Sequence, residues 1–184
     1  MRKLTRILRG GEAAEIAEAA MVLPLVFMLL LGSVWFGRAF NIYSTITQAA
    51  QQGAVTAARP VCATCPSGAG WNGTGFPNDT TVGNAVASIL QASSIDPNSI
   101  PASPNPGLLP CPSPPAPPGG TCNAGPNNIW ICRAVQLNPA AVTQPVQCGT
   151  VVSFQYPFQF YFPFTSLSMQ QITMSAQAQS RMEN

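Results

Sequence analysis

The feature that most constrains this chain is a run of nineteen residues, Ala19 to Gly37, without a single charged side chain. As an α-helix this run is roughly 28 Å long, close to the ~30 Å hydrocarbon core of a bilayer. Ten of its residues are Val, Leu or Phe, and each of these favours membrane insertion by about 0.3–0.6 kcal/mol. A membrane anchor is therefore the preferred interpretation, over a cleavable signal peptide or a buried core helix.

The charges of the 184-residue chain are concentrated just before this run. Four basic residues lie within the first nine positions, and three glutamates follow at positions 12, 15 and 18. By the positive-inside rule we expect the N-terminus in the cytoplasm and everything after Arg38 outside it. Because the net charge is only +2 and no basic stripe is present, we expect no nucleic-acid partner.

Groups suited to catalysis are scarce in this sequence. The chain contains no histidine, and beyond the apolar run its acidic side chains are Asp79, Asp96 and Glu183. These acids are far apart in sequence, so general acid–base chemistry has little material. We therefore expect no enzymatic activity, no cofactor and no metal site.

Helical periodicity continues beyond the apolar run. Apolar residues recur at three- and four-residue spacing and predict an extension of the same helix up to Arg59-Pro60, with one face formed by Phe40, Tyr43, Ile46, Ala50, Ala54 and Ala57. A second, short helix is predicted to be capped by Asp79-Thr80-Thr81, to end near Ser93-Ser94, and to bury Val82, Val86, Ile89 and Leu90.

Alternating apolar and polar residues predict half-buried antiparallel strands at 129–137, 152–156, 158–164 and 172–178. The segment 97–118, with ten prolines in twenty-two residues, favours polyproline II and cannot form a central strand. We expect a surface loop there, with a docking peptide for a partner as the alternative. The aromatic run from Phe154 to Phe164 is either core or a contact surface for a neighbouring subunit.

All six cysteines follow the apolar run: Cys62, Cys65, Cys111, Cys122, Cys132 and Cys148. An even number outside the cytoplasm predicts disulfides, although the sequence does not choose among the complete pairings. Short-range pairing favours the bonds Cys62–Cys65, Cys111–Cys122 and Cys132–Cys148. A zinc site or a redox-active CxxC is disfavoured, because no second CxxC, no histidine and no evident βαβ unit accompanies Cys62 and Cys65.

Short motifs follow one another in a definite order on both sides of the apolar run. The first are Arg9-Gly10, Glu15-Ile16-Ala17, Leu23-Pro24-Leu25 and Phe36-Gly37-Arg38-Ala39-Phe40, continued by Ala49-Ala50, Gly53-Ala54 and Ala57-Ala58. Near the C-terminus they are Val151-Val152, Tyr156-Pro157-Phe158, Pro163-Phe164 and Ile172-Thr173-Met174-Ser175-Ala176. Over residues 9–60 and 148–184 the chain thereby resembles the TadE-like family of pilus-assembly proteins, minor pilin-like partners of Flp pili in bacterial tight-adherence systems.

The resemblance implies proteolytic processing. Related proteins are cut by a prepilin peptidase just after a glycine, with a glutamate as the fifth residue of the mature chain. A cut between Gly10 and Gly11 makes Glu15 that fifth residue. Its carboxylate would then pair with the new α-ammonium and help to set helix register between subunits. Without the resemblance, favourable interaction with the helix dipole accounts for acidic residues at this position, and this explanation suffices for Glu12 and Glu18.

Together these features predict an α+β protein in three parts. Residues 1–10 form a basic cytoplasmic leader that is removed if the chain is processed, and 11–60 form a single membrane-spanning helix that continues as an amphipathic helix. Residues 61–184 form an extracytoplasmic domain, in which that helix packs on a small antiparallel sheet interrupted by the proline- and cysteine-rich loop 97–118.

For the function, the resemblance implies a pilin-like (pseudopilin, type IV pilin-like) subunit of a tight-adherence pilus or secretion apparatus, anchored in the bacterial inner membrane. It would act through contacts with other pilin-like subunits, inner-membrane assembly proteins, the prepilin peptidase and the lipid bilayer. The alternative is an unprocessed, single-pass anchored extracytoplasmic binding module whose proline loop recognises a ligand.

Overall fold

The computed structural model describes residues 12–60, 76–112, 121–138, 146–159 and 171–181. The chain divides into two compact units, a first unit that ends at Asn41 and a second unit that begins at Ile42. The leader, Gly10, Gly11, Cys62 and Cys65 lie outside the described residues, as do positions 113–118 of the proline loop.

The longest element is helix α1 (Glu12–Ala58), whose 47 residues contribute to both units. It ends at Ala58, directly before Arg59-Pro60, which confirms the predicted stop. Proline cannot donate a backbone hydrogen bond, and it also disfavours the helical conformation in the residue before it. Pro24 lies inside α1, and the chain remains helical on both sides of it.

The second unit contains a short helix and a four-stranded antiparallel sheet. The helix is α2 (Asp79–Ala92). The strands are β1 (Thr121–Ala124), β2 (Trp130–Gln136), β3 (Cys148–Phe158) and β4 (Ile172–Arg181). Each strand pairs with the next along the chain, so the sheet order is β1-β2-β3-β4. The predicted α+β class is confirmed.

The main core of the second unit is formed by small side chains of α1, branched side chains of α2, and one face of the sheet. Its buried members include Ile46, Ala49, Ala50, Ala54 and Ala57 of α1, Val82, Val86 and Leu90 of α2, and Ile131, Val152, Phe154, Ala176 and Ala178 of the strands. Each fully buried Val, Leu, Ile or Phe stabilises the fold by about 1.5–3 kcal/mol. The predicted apolar face of α1 is confirmed from Ile46 onward, whereas Phe40 and Tyr43 are exposed.

Two strand predictions need correction. Residues 152–156 and Phe158 belong to one strand, β3, which ends at Phe158 instead of starting a separate strand there; positions 160–164 lie outside the described residues. Phe154 and Phe158 are buried, so at these two positions the aromatic run is core. Strand β1 was not predicted, because Thr-Cys-Asn-Ala lacks the alternation of apolar and polar residues that marks a half-buried strand.

The start of α2 also differs slightly from the prediction. Asn78 is the capping residue, and its side-chain oxygen accepts a hydrogen bond from the backbone N–H of Thr81 at 2.7 Å. Asp79 is the first helical residue, where a negative charge interacts favourably with the helix dipole. The predicted buried face is confirmed for Val82, Val86 and Leu90.

Candidate functional site

The candidate site is the N-terminal part of α1, residues 15–40, here called the apolar segment. Most of its large apolar side chains are exposed: Ile16, Met21, Val22, Leu23, Leu25, Val26, Phe27, Met28, Leu29, Leu30, Val34, Phe36 and Phe40. Because consecutive helical residues are rotated by about 100°, the six from Leu25 to Leu30 cover every side of the helix. A helix that is apolar all round must be surrounded by lipid or by other apolar surfaces.

Length and composition agree with a bilayer span. Within the part of the chain that the structure describes, α1 is the one helix long and apolar enough to cross a membrane. The one serine of its uncharged run, Ser33, donates its hydroxyl to the backbone carbonyl of Leu30 at 2.8 Å. This hydrogen bond satisfies the hydroxyl within the helix, so Ser33 needs no water there.

The N-terminal end of the apolar segment carries acidic side chains. Glu15 and Glu18 are both exposed and, three residues apart, project from neighbouring positions on the helix. Glu15 precedes the uncharged run by about 6 Å along the helix axis. Its predicted partner, the α-ammonium created at Gly11, lies outside the described residues.

At the other end of the uncharged run, a cation lies against an aromatic ring. The guanidinium carbon of Arg38 is 5.7 Å from the centroid of the Trp35 ring. This is within the range of a cation–π interaction, which is worth about 0.5–1 kcal/mol at an exposed site. An amphipathic ring beside a basic residue is typical of a membrane–water interface, so the pair marks the expected C-terminal boundary of the span.

The second unit contains two disulfides among its described cysteines, Cys122–Cys132 and Cys111–Cys148. Disulfide formation is thus confirmed for these four residues, but both predicted pairings among them are wrong. The prediction used distance along the chain, whereas strand register determines which cysteines meet. The predicted Cys62–Cys65 bond lies outside the described residues.

Strand pairing explains the first of these bonds. In the β1–β2 hairpin Cys122 lies directly opposite Cys132, with Cα atoms 4.0 Å apart. The two residues are ten positions apart in sequence, with the hairpin turn between them. Cys122 is therefore held beside Cys132, and it is unavailable to Cys111.

The second bond joins segments on opposite edges of β2. The backbone N–H of Cys111 donates to the carbonyl of Ala134 at 2.8 Å, and Val135 pairs with Pro110 on one edge and with Gly149 of β3 on the other. Cys148 precedes Gly149, and its Cα atom lies 6.0 Å from that of Cys111. The β2–β3 register is irregular between Cys132 and Val135, and Ala134 in this stretch has a positive φ. This irregularity lies beside the second disulfide.

The described part of the proline loop is fastened to the sheet. The indole N–H of Trp130 donates to the Ser103 carbonyl at 2.9 Å, and the side-chain amide of Asn128 donates to the Ile100 carbonyl at 2.8 Å. The backbone N–H of Gln136 donates to the Leu109 carbonyl at 2.8 Å. Residues 109–111 thus pair with the C-terminal part of β2, on the same edge that β1 occupies further along. Proline is tolerated there because the outer side of an edge strand needs no backbone N–H donor.

The sequence analysis did not predict the ion pair of this unit. Asp79 and Arg133 form an ion pair with a nitrogen–oxygen distance of 2.9 Å, and the side chain of Asn123 donates to the same carboxylate at 3.2 Å. The contact joins the first turn of α2 to β1 and β2. The sequence did offer one indication of it. Because the domain has very few charged residues, an acidic and a basic residue within it are good candidates for an ion pair. Across the described ranges, no cluster of three or more His, Cys, Asp or Glu residues could hold a metal ion.

The candidate site is similar to a known protein family. Residues 13–55 match the family model described as TadE-like protein, which confirms the resemblance over the apolar segment and the following part of α1. No curated protein and no solved structure matches the chain. The family match associates the chain with the Tad pilus and with a helix able to span a membrane.

Proposed function

We propose that this protein is a membrane-anchored, minor pilin-like subunit of a tight-adherence (Flp) pilus or secretion apparatus, and that it acts in assembly through protein–protein contacts. One observation carries the proposal: the segment that matches the TadE-like family contains the exposed apolar helix. Such a helix is stable in lipid, and its contacts with lipid can also be replaced by contacts with the apolar helices of other subunits.

Processing by a prepilin peptidase makes this exchange feasible. The cut between Gly10 and Gly11 removes Arg2, Lys3, Arg6 and Arg9, which hold the unprocessed N-terminus at the cytoplasmic surface. It also creates an α-ammonium near Glu15. In a low-dielectric environment an unpaired carboxylate is costly, so subunits aligned to pair Glu15 with an ammonium are favoured over subunits in other registers.

The disulfides support an extracytoplasmic location for the second unit. Disulfides persist in oxidising compartments and are rare in the cytoplasm, and the four described cysteines of this unit form two of them. The positive-inside rule independently leaves the N-terminus in the cytoplasm. In this topology the second unit meets periplasmic or filament partners, and α1 meets partners within the inner membrane.

Mass spectrometry of the mature N-terminus tests the processing step. In cells with a functional prepilin peptidase we expect the chain to begin at Gly11, and in cells lacking that peptidase we expect an intact leader. If the mature, functional protein retains Met1, the proposal is wrong, and the unprocessed anchored binding module becomes the better explanation.

The role of Glu15 is tested with matched alanine variants. Glu15→Ala is expected to insert in the membrane and to be cut normally, but not to co-purify with pilus components after crosslinking, because the register-setting charge is missing. Glu18→Ala, one turn further along α1, serves as the control and is expected to assemble. Normal assembly of Glu15→Ala would contradict the pairing role.

A further inference from the structure

The two disulfides among the described cysteines of the second unit are nested. Cys111–Cys148 has a sequence separation of 37 and encloses Cys122–Cys132, which has a separation of 10. Joining each of these cysteines to the next one along the chain cannot produce this pattern. We infer that the chain is a substrate of a thiol–disulfide isomerase as well as of a disulfide-bearing thiol oxidase. The inference rests on the export of the second unit under the proposed function.

The order of export favours the wrong bonds. Of these four cysteines, Cys111 is exported first and Cys148 last when the N-terminus stays in the cytoplasm, so Cys111 and Cys122 meet the oxidant before Cys148 does. Loop length does not oppose this order, because the loop between Cys111 and Cys122 is only one residue longer than the loop between Cys122 and Cys132, and loop-closure entropy changes slowly with length. Oxidation during export therefore favours Cys111–Cys122, followed by Cys132–Cys148.

The folded structure requires the other pairing. Cys122 must be free to face Cys132 in the β1–β2 hairpin, and each sulfur forms only one disulfide bond. Cys132 is completely buried and Cys111 is 6 % exposed. Exchange must therefore take place before the cluster of Cys132, Val135 and Val151 forms and buries the Cys132 sulfur atom, while the chain is still accessible to an enzyme.

The chemistry balances in two stages. In the oxidation stage each new disulfide forms from two cysteine thiols, and the oxidase disulfide takes up the two electrons and two protons and becomes a dithiol. In the isomerisation stage no net oxidation occurs, because each step exchanges one thiolate for another at a disulfide sulfur.

Three exchanges convert the wrong pairs into the native pairs. The isomerase thiolate attacks the sulfur of Cys111 in the Cys111–Cys122 bond and releases the thiolate of Cys122. That thiolate attacks the sulfur of Cys132, forms Cys122–Cys132 and releases the thiolate of Cys148. Finally, the Cys148 thiolate attacks Cys111 in the mixed disulfide, forms Cys111–Cys148 and regenerates the isomerase thiolate.

The experiment maps disulfides in the full-length chain from cells with and without the isomerase, after free thiols have been alkylated at harvest. Chymotrypsin and a proline-specific endopeptidase together cut between all four cysteines, after Pro118, Trp130 and Leu137. With the isomerase we expect the two native bonds. Without it we expect a several-fold loss of Cys111–Cys148 and a matching gain of Cys111–Cys122.

Two double variants provide matched controls. C111S/C148S leaves Cys122 and Cys132 as consecutive cysteines, and C122S/C132S leaves Cys111 and Cys148 as consecutive cysteines. Each variant is expected to form its remaining native bond to the same extent with and without the isomerase. A variant that still needs the isomerase would contradict the argument from nesting.

Reoxidation of the purified, reduced chain in detergent gives a second measurement that does not depend on survival in cells. All four cysteines are then accessible at once, so the oxidase alone is expected to yield a mixture of native and mispaired chains, and addition of the isomerase to convert the mispaired chains into native ones. Full native pairing without the isomerase, in cells and in detergent, would overturn this inference and leave the export proposal intact. Fully reduced cysteines in normal cells would instead overturn the export proposal, and this inference with it.

Discussion

At the scale of single residues, the second unit contains an ion pair between the buried Arg133 and the partly exposed Asp79. The Arg133 side chain is 8 % exposed and that of Asp79 is 31 % exposed. A guanidinium nitrogen of Arg133 also donates to the Pro77 carbonyl at 2.6 Å, but its Nε is buried without a partner. The buried cation thus depends strongly on Asp79 for compensation of its charge.

Because Arg133 is more deeply buried than Asp79, we expect removal of the carboxylate to destabilise the protein more than removal of the guanidinium. Asp79→Asn leaves the buried cation uncompensated and removes a negative charge from the start of α2, so it is expected to lower the free energy of unfolding by about 3 kcal/mol. Arg133→Met removes the buried cation and leaves a partly solvated carboxylate, at a cost of about 1–2 kcal/mol. The measurement is urea denaturation of the full chain in detergent, followed by circular dichroism.

Arg59→Met is the control, because Arg59 is exposed and its replacement is expected to change stability by less than about 0.5 kcal/mol. A larger loss for Arg133→Met than for Asp79→Asn would contradict the explanation. The sequence shows both charges, but they lie in different elements, and it is the packing of α2 against the sheet that makes them neighbours.

At the scale of secondary-structure elements, α1 makes a close contact at Gly53 in the second unit. A Cβ atom at this position would lie 2.5 Å from Val86 Cγ2 and 3.3 Å from Val152 Cγ1. Valine has one strongly preferred side-chain rotamer in a helix, so Val86 cannot easily move away. The absence of a side chain at Gly53 therefore allows α1 to pack closely against both α2 and β3.

Gly53→Ala is expected to destabilise the second unit although alanine is the better helix former. Overpacking costs about 1–3 kcal/mol, and the gain in helix propensity is at most about 1 kcal/mol, so we expect a net loss of about 1–2 kcal/mol in chemical denaturation. Gly37→Ala is the control in the same helix, because a Cβ there meets no atom within 4 Å. Equal stability of the two variants would show that the contact at Gly53 is unimportant.

Local sequence patterns predict elements well where the pattern is long. The end of α1 before Pro60, the buried face of α2 and the presence of β2 and β4 all follow from periodicity and proline chemistry. Strand β1 and the two disulfides do not, because four residues are too few to show a period and sulfur pairing depends on strand register. Cys122 meets Cys132 only because the hairpin aligns Thr121 with Arg133 and Ala124 with Trp130.

At the scale of the whole molecule, the two units require different surroundings. The apolar segment exposes large aliphatic and aromatic side chains on all sides, whereas the described part of the second unit buries many of its apolar side chains in its own core. The apolar side chains of the first unit can be shielded from water only by lipid or by other helices, whereas the fold of the second unit shields its own. An anchored protein with a folded domain outside the bilayer fulfils both requirements.

A charged residue introduced in the middle of the apolar segment tests whether this segment spans the membrane. Leu29→Arg replaces an exposed leucine and disfavours insertion by about 3–4 kcal/mol, comparable with the total predicted for the segment. We expect a large loss of the protein that resists alkaline carbonate extraction. Gln48→Arg, at an exposed position of α1 in the second unit, is the control and is expected to remain membrane-bound. Unchanged extraction of Leu29→Arg would argue against a membrane span.

The sequence by itself determined the membrane-type helix, the α+β class and the short-range elements, because these depend on hydrophobicity and periodicity within continuous segments. The tertiary structure alone decided which cysteines bond, that Arg133 reaches Asp79, and that the proline loop extends the edge of β2. All three depend on register and packing between segments far apart in the chain. Proximity of that kind is created only when the sheet and helices assemble.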